Sequence, residues 1–73
     1  MRVQDYILKE WKESKISVFV MYKEYDVINQ VKGELIDFDD YTITISSYKN
    51  FVIINRKQIL KMKGSKKDGI NRK

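Results

Sequence analysis

The apolar residues of this chain change their spacing at Ile16, and that change constrains the fold more than any other feature. Before it, Val3, Ile7 and Trp11 recur four apart, and Leu8 widens the stripe. That is the pattern of a helix with one buried face. After it, Ile16, Val18, Val20 and Tyr22 alternate with Ser17, Phe19 and Met21, the period of an extended strand. One element cannot satisfy both periods, so a helix over residues 3–14 must hand over to a β region. Asp5 in the first helical turn and Lys9, Lys12 and Lys15 toward the end suit the helix dipole. Asp5 and Lys9 are spaced for an ion pair along the helix.

The β region can be followed to residue 62. The first strand is apolar on both faces, and Lys23, Glu24, Tyr25 and Asp26 read as a polar turn. Val27 to Phe38 is a long extended stretch containing Gly33, the only glycine before residue 64. An isolated glycine in a strand marks a bend, a bulge or a close backbone approach. Asp39-Asp40 is the next turn. Tyr41, Ile43 and Ile45 then alternate with Thr42, Thr44 and Ser46, a strand with one buried face. Ser47 to Asn50 turns again, and Phe51 to Ile54 is a fourth strand. Asn55, Arg56 and Lys57 interrupt the pattern, and Ile59, Leu60 and Met62 resume it as a short fifth strand. The expected architecture is mainly β: an N-terminal α-helix followed by a five-stranded, strongly bent antiparallel small barrel over residues 1–62. Residues 63–73 read as a basic disordered tail.

A chain of 73 residues holds one domain, and a domain so small removes little surface from water. It has no cysteine to staple it and no histidine. Its remaining burial is therefore expected at a subunit interface. The net charge is +5, and Lys63, Lys66, Lys67, Arg72 and Lys73 against Asp68 hold most of that excess in the tail. Overall basicity alone is a weak pointer to nucleic acid. Two acids at Asp39-Asp40, with no histidine and no nucleophile beside them, read as a turn and not as a catalytic pair. No enzyme activity, cofactor or metal site is expected. Trp11 and Tyr48 read as packing and surface residues. No apolar run has the length of a signal-peptide core or a membrane span, so a cytoplasmic location is expected.

Five short segments, in order, resemble the Hfq family of Sm-like RNA chaperones. They are Val3-Gln4-Asp5 opening the helix, Lys15-Ile16-Ser17-Val18 leaving it, Val31-Lys32-Gly33, Phe38-Asp39-Asp40-Tyr41-Thr42, and Ile54-Asn55-Arg56-Lys57-Gln58-Ile59. Three features depart from the family pattern. The Asn-Gly turn after the first strand is replaced by a longer loop at Lys23 to Asp26. Asn55-Arg56-Lys57 stands where the family has Tyr-Lys-His. Ser17 stands where it has proline.

The resemblance implies an Sm-like fold, and a homohexameric ring formed by pairing the fourth strand of one subunit with the fifth of the next. It implies that U-rich single-stranded RNA binds around the pore at Gln4, Tyr41, Asn55, Arg56 and Lys57. Tyr41 would stack on a base, Arg56 and Lys57 would meet phosphate or base oxygens, and Gln4 would read a base edge. From the residues alone two alternatives stay open: Tyr41 as a cap on the core, and Arg56-Lys57 as a solvated turn. Rim contacts are implied at Lys12 and Lys15. On the other ring face, where the family takes A-rich RNA, Met21 and Gln30 are the matching positions. The implied function is promotion of pairing between small regulatory RNA and messenger RNA, with no membrane partner. Two rivals are an SH3-like protein-interaction domain and a seven-membered Sm-like ring. The Gln4-Asp5 helix start and the cations between two strands favour the Hfq-like reading.

Overall fold

The structure is a computed structural model and describes residues 4–65. Helix α1 (Asp5–Ser14) is followed by five strands: β1 (Ser17–Glu24), β2 (Val27–Phe38), β3 (Thr42–Ser47), β4 (Asn50–Asn55) and β5 (Ile59–Gly64). A single 3-10 turn, Arg56–Gln58, joins β4 to β5. All neighbouring strands are antiparallel, and the sheet order is β4-β3-β2-β1-β5. The mainly β architecture read from the two hydrophobic periods is the one observed.

The sheet curls because its two ends share one core. Ile54 on β4 and Ile59 and Met62 on β5 join Val18, Val20, Leu35, Ile43 and Ile45 in a single buried cluster. Strands at opposite ends of a flat five-stranded sheet lie too far apart to do this, given about 4.8 Å between neighbours. Gly33 makes the bend possible. A methyl group there would run into the backbone carbonyl of Ser46 on β3. The pairing register shifts between Leu35 and Asp37, and again between Met21 and Tyr22. Such bulges tighten local twist and bend. α1 closes the remaining end of the core. Leu8 is fully buried, and Ile7 and Trp11 pack beside it. Trp11 is thus a packing residue, as expected, and its indole lies against Gly64.

Several boundaries differ from the sequence reading. The connection after β1 is a two-residue turn, Tyr25-Asp26, with φ of 52° and 63°. Lys23 and Glu24, read as part of a longer loop, are instead paired with Ile28 and Val27. Strand pairing wins over local polarity here, because a hairpin exposed on both faces accepts polar side chains. β3 starts at Thr42, leaving Tyr41 in the turn. β5 runs to Gly64, with Lys63 opposite Phe19 and Gly64 opposite Val18. Residues 63 and 64 are therefore sheet and not tail. Ser65 is bonded to the Ser17 carbonyl, and the rest of the tail reading, residues 66–73, lies outside the described residues. Asp5 pairs with Arg56 and not with Lys9. Among the described residues, no helix is long and apolar enough to cross a membrane.

Candidate functional site

One end of the sheet gathers the residues that the resemblance assigns to an RNA site. The segment from Asp39 to Thr42 forms a tight turn whose geometry is set by one carboxylate. Asp39 Oδ1 accepts from the Tyr41 N–H at 2.7 Å, the Thr42 N–H at 2.8 Å and the Thr42 hydroxyl at 3.3 Å. These bonds, led by the Tyr41 and Thr42 amides, hold the Asp39 carboxyl below its usual range, and the nearby Arg56 adds a smaller effect. The pair Asp39-Asp40 is thus a turn. Its local hydrogen bonds are those of Asp in an Asx-type turn. Tyr41 leaves this turn 72% exposed, so it does not cap the core.

The 3-10 turn after β4 stands next to it. Thr42 pairs with Asn55 across β3 and β4, and the Arg56 N–H donates to the Tyr41 carbonyl at 2.8 Å. Asn55 Oδ1 accepts from the Lys57 N–H at 2.9 Å and caps the 3-10 turn. This occupies one acceptor of the Asn55 amide. Lys57 is exposed, and no ion pair to it occurs among the described residues.

Arg56 behaves differently from Lys57. Its Nη2 donates to Asp5 Oδ1 at 2.9 Å, and its Nη1 donates to the Asp39 carbonyl at 2.7 Å. Its side chain is only 17% exposed. Arg56 is therefore tied into the fold and is not a solvated turn residue. The Asp5–Arg56 pair brings the start of α1 to this end of the sheet. Gln4, the exposed N-cap, comes with it, its carbonyl accepting from Ile7 and Leu8. Gln4, Tyr41, Asn55, Arg56 and Lys57 thus share one end of the molecule. The named charged side chains at this end are three acids, Asp5, Asp39 and Asp40, and two bases, Arg56 and Lys57, a net charge of −1.

The remaining candidates lie elsewhere. Lys12 reaches Asp37 at 3.6 Å, a surface pair of the kind that contributes little to stability. Lys15 ends the helix in the left-handed region, φ 56°. Met21 and Gln30 are direct partners across β1 and β2 on the sheet face turned away from the core. The register adds residues to that face which period alone did not single out. Phe19 pairs with Lys32 on one side and Lys63 on the other, and Met21 pairs with Lys61. The Lys63 ammonium sits 5.5 Å from the Phe19 ring centre. A shallow groove is lined by Phe19, Lys32, Lys63, Gly64 and Ser65. The alternation of β1 carried half of this signal. The strand order, which brings β5 beside β1, carried the rest.

The structure thus defines a class: a small, curled, five-stranded antiparallel domain with one capping helix, and a polar-aromatic cluster at one end. No family model, curated protein or solved structure matches the chain.

Proposed function

We propose that this chain is an Hfq-like RNA chaperone of the Sm-like class. It binds U-rich single-stranded RNA, promotes pairing of small regulatory RNA with messenger RNA, and performs no covalent chemistry. The observation that carries this reading is the exposed Tyr41, its backbone held by Asp39 and by the Arg56 N–H, at the same end of the molecule as Asn55, Lys57 and Gln4. A flat aromatic surface held by a backbone turn is a stacking platform for a base, worth roughly 1–3 kcal/mol per base. Lys57 supplies a cation, and the Gln4 amide supplies both a donor and an acceptor. The named side chains at this end hold one more acid than base, so stacking and base-edge contacts carry most of the affinity and the salt dependence is shallow.

The assembly proposed is a homohexameric ring in the cytoplasm. β4 and β5 are the two ends of the sheet order, and among the described residues no strand lies beyond either. Phe51 and Ile53 on β4 are 72% and 69% exposed, and Leu60 on β5 is exposed as well. Unpaired strand edges carrying apolar side chains call for a partner. Pairing β4 of one copy with β5 of the next removes both edges and repeats the Tyr41 site around a ring, so weak single contacts add up. The face bearing Phe19, Met21, Gln30, Lys32, Lys61 and Lys63 supports a second, more electrostatic RNA contact, as pairing two RNAs requires.

The test combines native mass spectrometry with fluorescence anisotropy, using oligo-U and oligo-A over a salt series. A six-subunit ring that binds oligo-U, with weaker binding after Tyr41→Ala and after Lys57→Ala, supports the reading. A monomer at micromolar concentration, or oligo-U affinity indifferent to both substitutions, overturns it.

A further inference from the structure

Arg56 stands where the Hfq-like resemblance implies an RNA-contacting cation, yet its guanidinium is already committed. Two of its nitrogens are spent on the Asp5 carboxylate and the Asp39 carbonyl, and little of the side chain reaches solvent. A phosphate could take Arg56 only by breaking a charge-assisted bond and a bond to the backbone together. The acceptors it holds are themselves informative. Asp5 opens α1 next to Gln4, and Asp39 is the residue whose carboxylate fixes the Tyr41 backbone. The Arg56 N–H also holds the Tyr41 carbonyl. The side chain thus bridges the helix start to the turn that presents the aromatic ring.

We infer that Arg56 is a positioning residue and not an RNA contact, and that Asp5, Arg56 and the Asp39 turn form a brace that sets where Tyr41 and Gln4 stand. This rests on the proposed RNA-binding role of the Tyr41 site. The brace needs a planar fork reaching two acceptors at once, which a lysine ammonium cannot reproduce. It also reverses the expected sign of one substitution. Asp5 is an acid near a proposed polyanion site, so simple electrostatics says that removing it tightens RNA binding. The brace says that removing it weakens binding, because Arg56 loses its anchor and the turn loosens.

The experiment measures oligo-U affinity by anisotropy for wild type, Asp5→Ala, Arg56→Lys and Arg56→Ala. Asp5→Ala and Arg56→Lys are also combined with Tyr41→Ala, and melting curves confirm that each variant is folded. Asp5→Ala and Arg56→Lys are expected to weaken binding by roughly two- to thirtyfold, the range for residues acting through a network. In the Tyr41→Ala background the same changes should have little further effect, because the group they position is gone. The salt slope should stay unchanged in Arg56→Ala and fall by about one in Lys57→Ala. If Arg56→Ala fails to fold, Arg56→Lys and Asp5→Ala still decide the question. Tighter or unchanged binding in Asp5→Ala, full affinity in Arg56→Lys, or equal losses with and without Tyr41 overturns the brace. If wild type binds oligo-U and Tyr41→Ala weakens it while Asp5→Ala and Arg56→Lys do not, the brace alone fails. If wild type does not bind oligo-U at all, the functional reading fails and the brace goes with it.

Discussion

The backbone carbonyl of Ser46 lies so close to the Cα of Gly33 that no side chain fits between them. This contact is where β2 folds over onto β3, and it sets the curl of the sheet. Gly33→Ala should therefore force the two backbones apart. Because the obstacle is backbone and not the tip of a flexible side chain, relief is expensive. A loss on the order of 1–3 kcal/mol is expected, enough to be severe in a domain this small. Thermal melting followed by circular dichroism checks it. A melting curve matching wild type would show that β2 and β3 can separate at this point without cost.

Leu8 is the only residue of α1 in the fully buried core. Leu8→Ala should cost about 2–5 kcal/mol, the usual range for a truncated core leucine. The loss should appear first as detachment of α1. Trp11 then leaves its place against Gly64, and its fluorescence should shift to the red. Unfolding in which helix and sheet signals change together without a prior Trp11 shift would mean that α1 does not separate first.

Asp39 gives the fold a pH dependence of definite sign. Its carboxyl is held below the usual value by the Tyr41 and Thr42 amides. A group whose pKa is lower in the folded state contributes stability above its unfolded pKa, near 3.9. That contribution is lost as pH falls through the folded value. Wild type should be more stable than Asp39→Asn at neutral pH, and the difference should shrink on acidification below pH ~4. Urea titrations at several pH values measure it. A difference independent of pH would show that the carboxylate charge is not what holds the turn.

A lysine on the β4 edge should act on assembly and leave the protomer intact. Ile53 is exposed in the single chain, so Ile53→Lys costs the protomer little. At a subunit contact it buries a charge beside an apolar strand, which edge lysines are known to prevent. Native mass spectrometry should show monomers in place of rings, with the circular dichroism spectrum retained. Rings that persist would move the interface away from β4.

Truncation after Ser65 should leave the sheet whole. The last β5 pairing is at Gly64, and Ser65 donates to the Ser17 carbonyl from both its N–H and its hydroxyl. The truncation removes Lys66, Lys67, Arg72 and Lys73 with Asp68. RNA affinity should then fall for all sequences alike, with a smaller salt slope. A selective loss of oligo-U binding would assign these residues a part in recognition. Cutting at residue 63 instead should destabilise the fold, since it removes the β5 residues opposite Phe19 and Val18.

Much of the architecture was written in local pattern. The helix, the number of strands and the turn at Asp39-Asp40 follow from periods of 3.6 and 2 and from turn chemistry. These depend on neighbours within a few residues. Gly33 announced a bend for the same reason, since no other residue type tolerates that approach. The length of the β1–β2 hairpin was not legible, because Lys23 and Glu24 look like turn residues until pairing claims them. The extent of β5 was hidden in the same way by lysines that belong to a strand.

Alternation by itself turned Ile43 and Ile45 of β3 inward; on β1 and β4, apolar on both faces, only the tertiary structure decided that Val18, Val20 and Ile54 are buried while Phe51 and Ile53 are exposed. The family resemblance, and not the local pattern, grouped Gln4, Tyr41, Asn55, Arg56 and Lys57 as one site. Only the tertiary structure decided what each of them does there. Arg56 and Asp5 are 51 positions apart, and nothing in the local pattern of either says that they touch. Their pairing depends on strand order and register, which bring the turn before β5 beneath the start of α1. Arg56 and Lys57 are adjacent in the chain and alike in charge. One is locked between two acceptors and the other is exposed, because consecutive residues in a tight turn point in different directions.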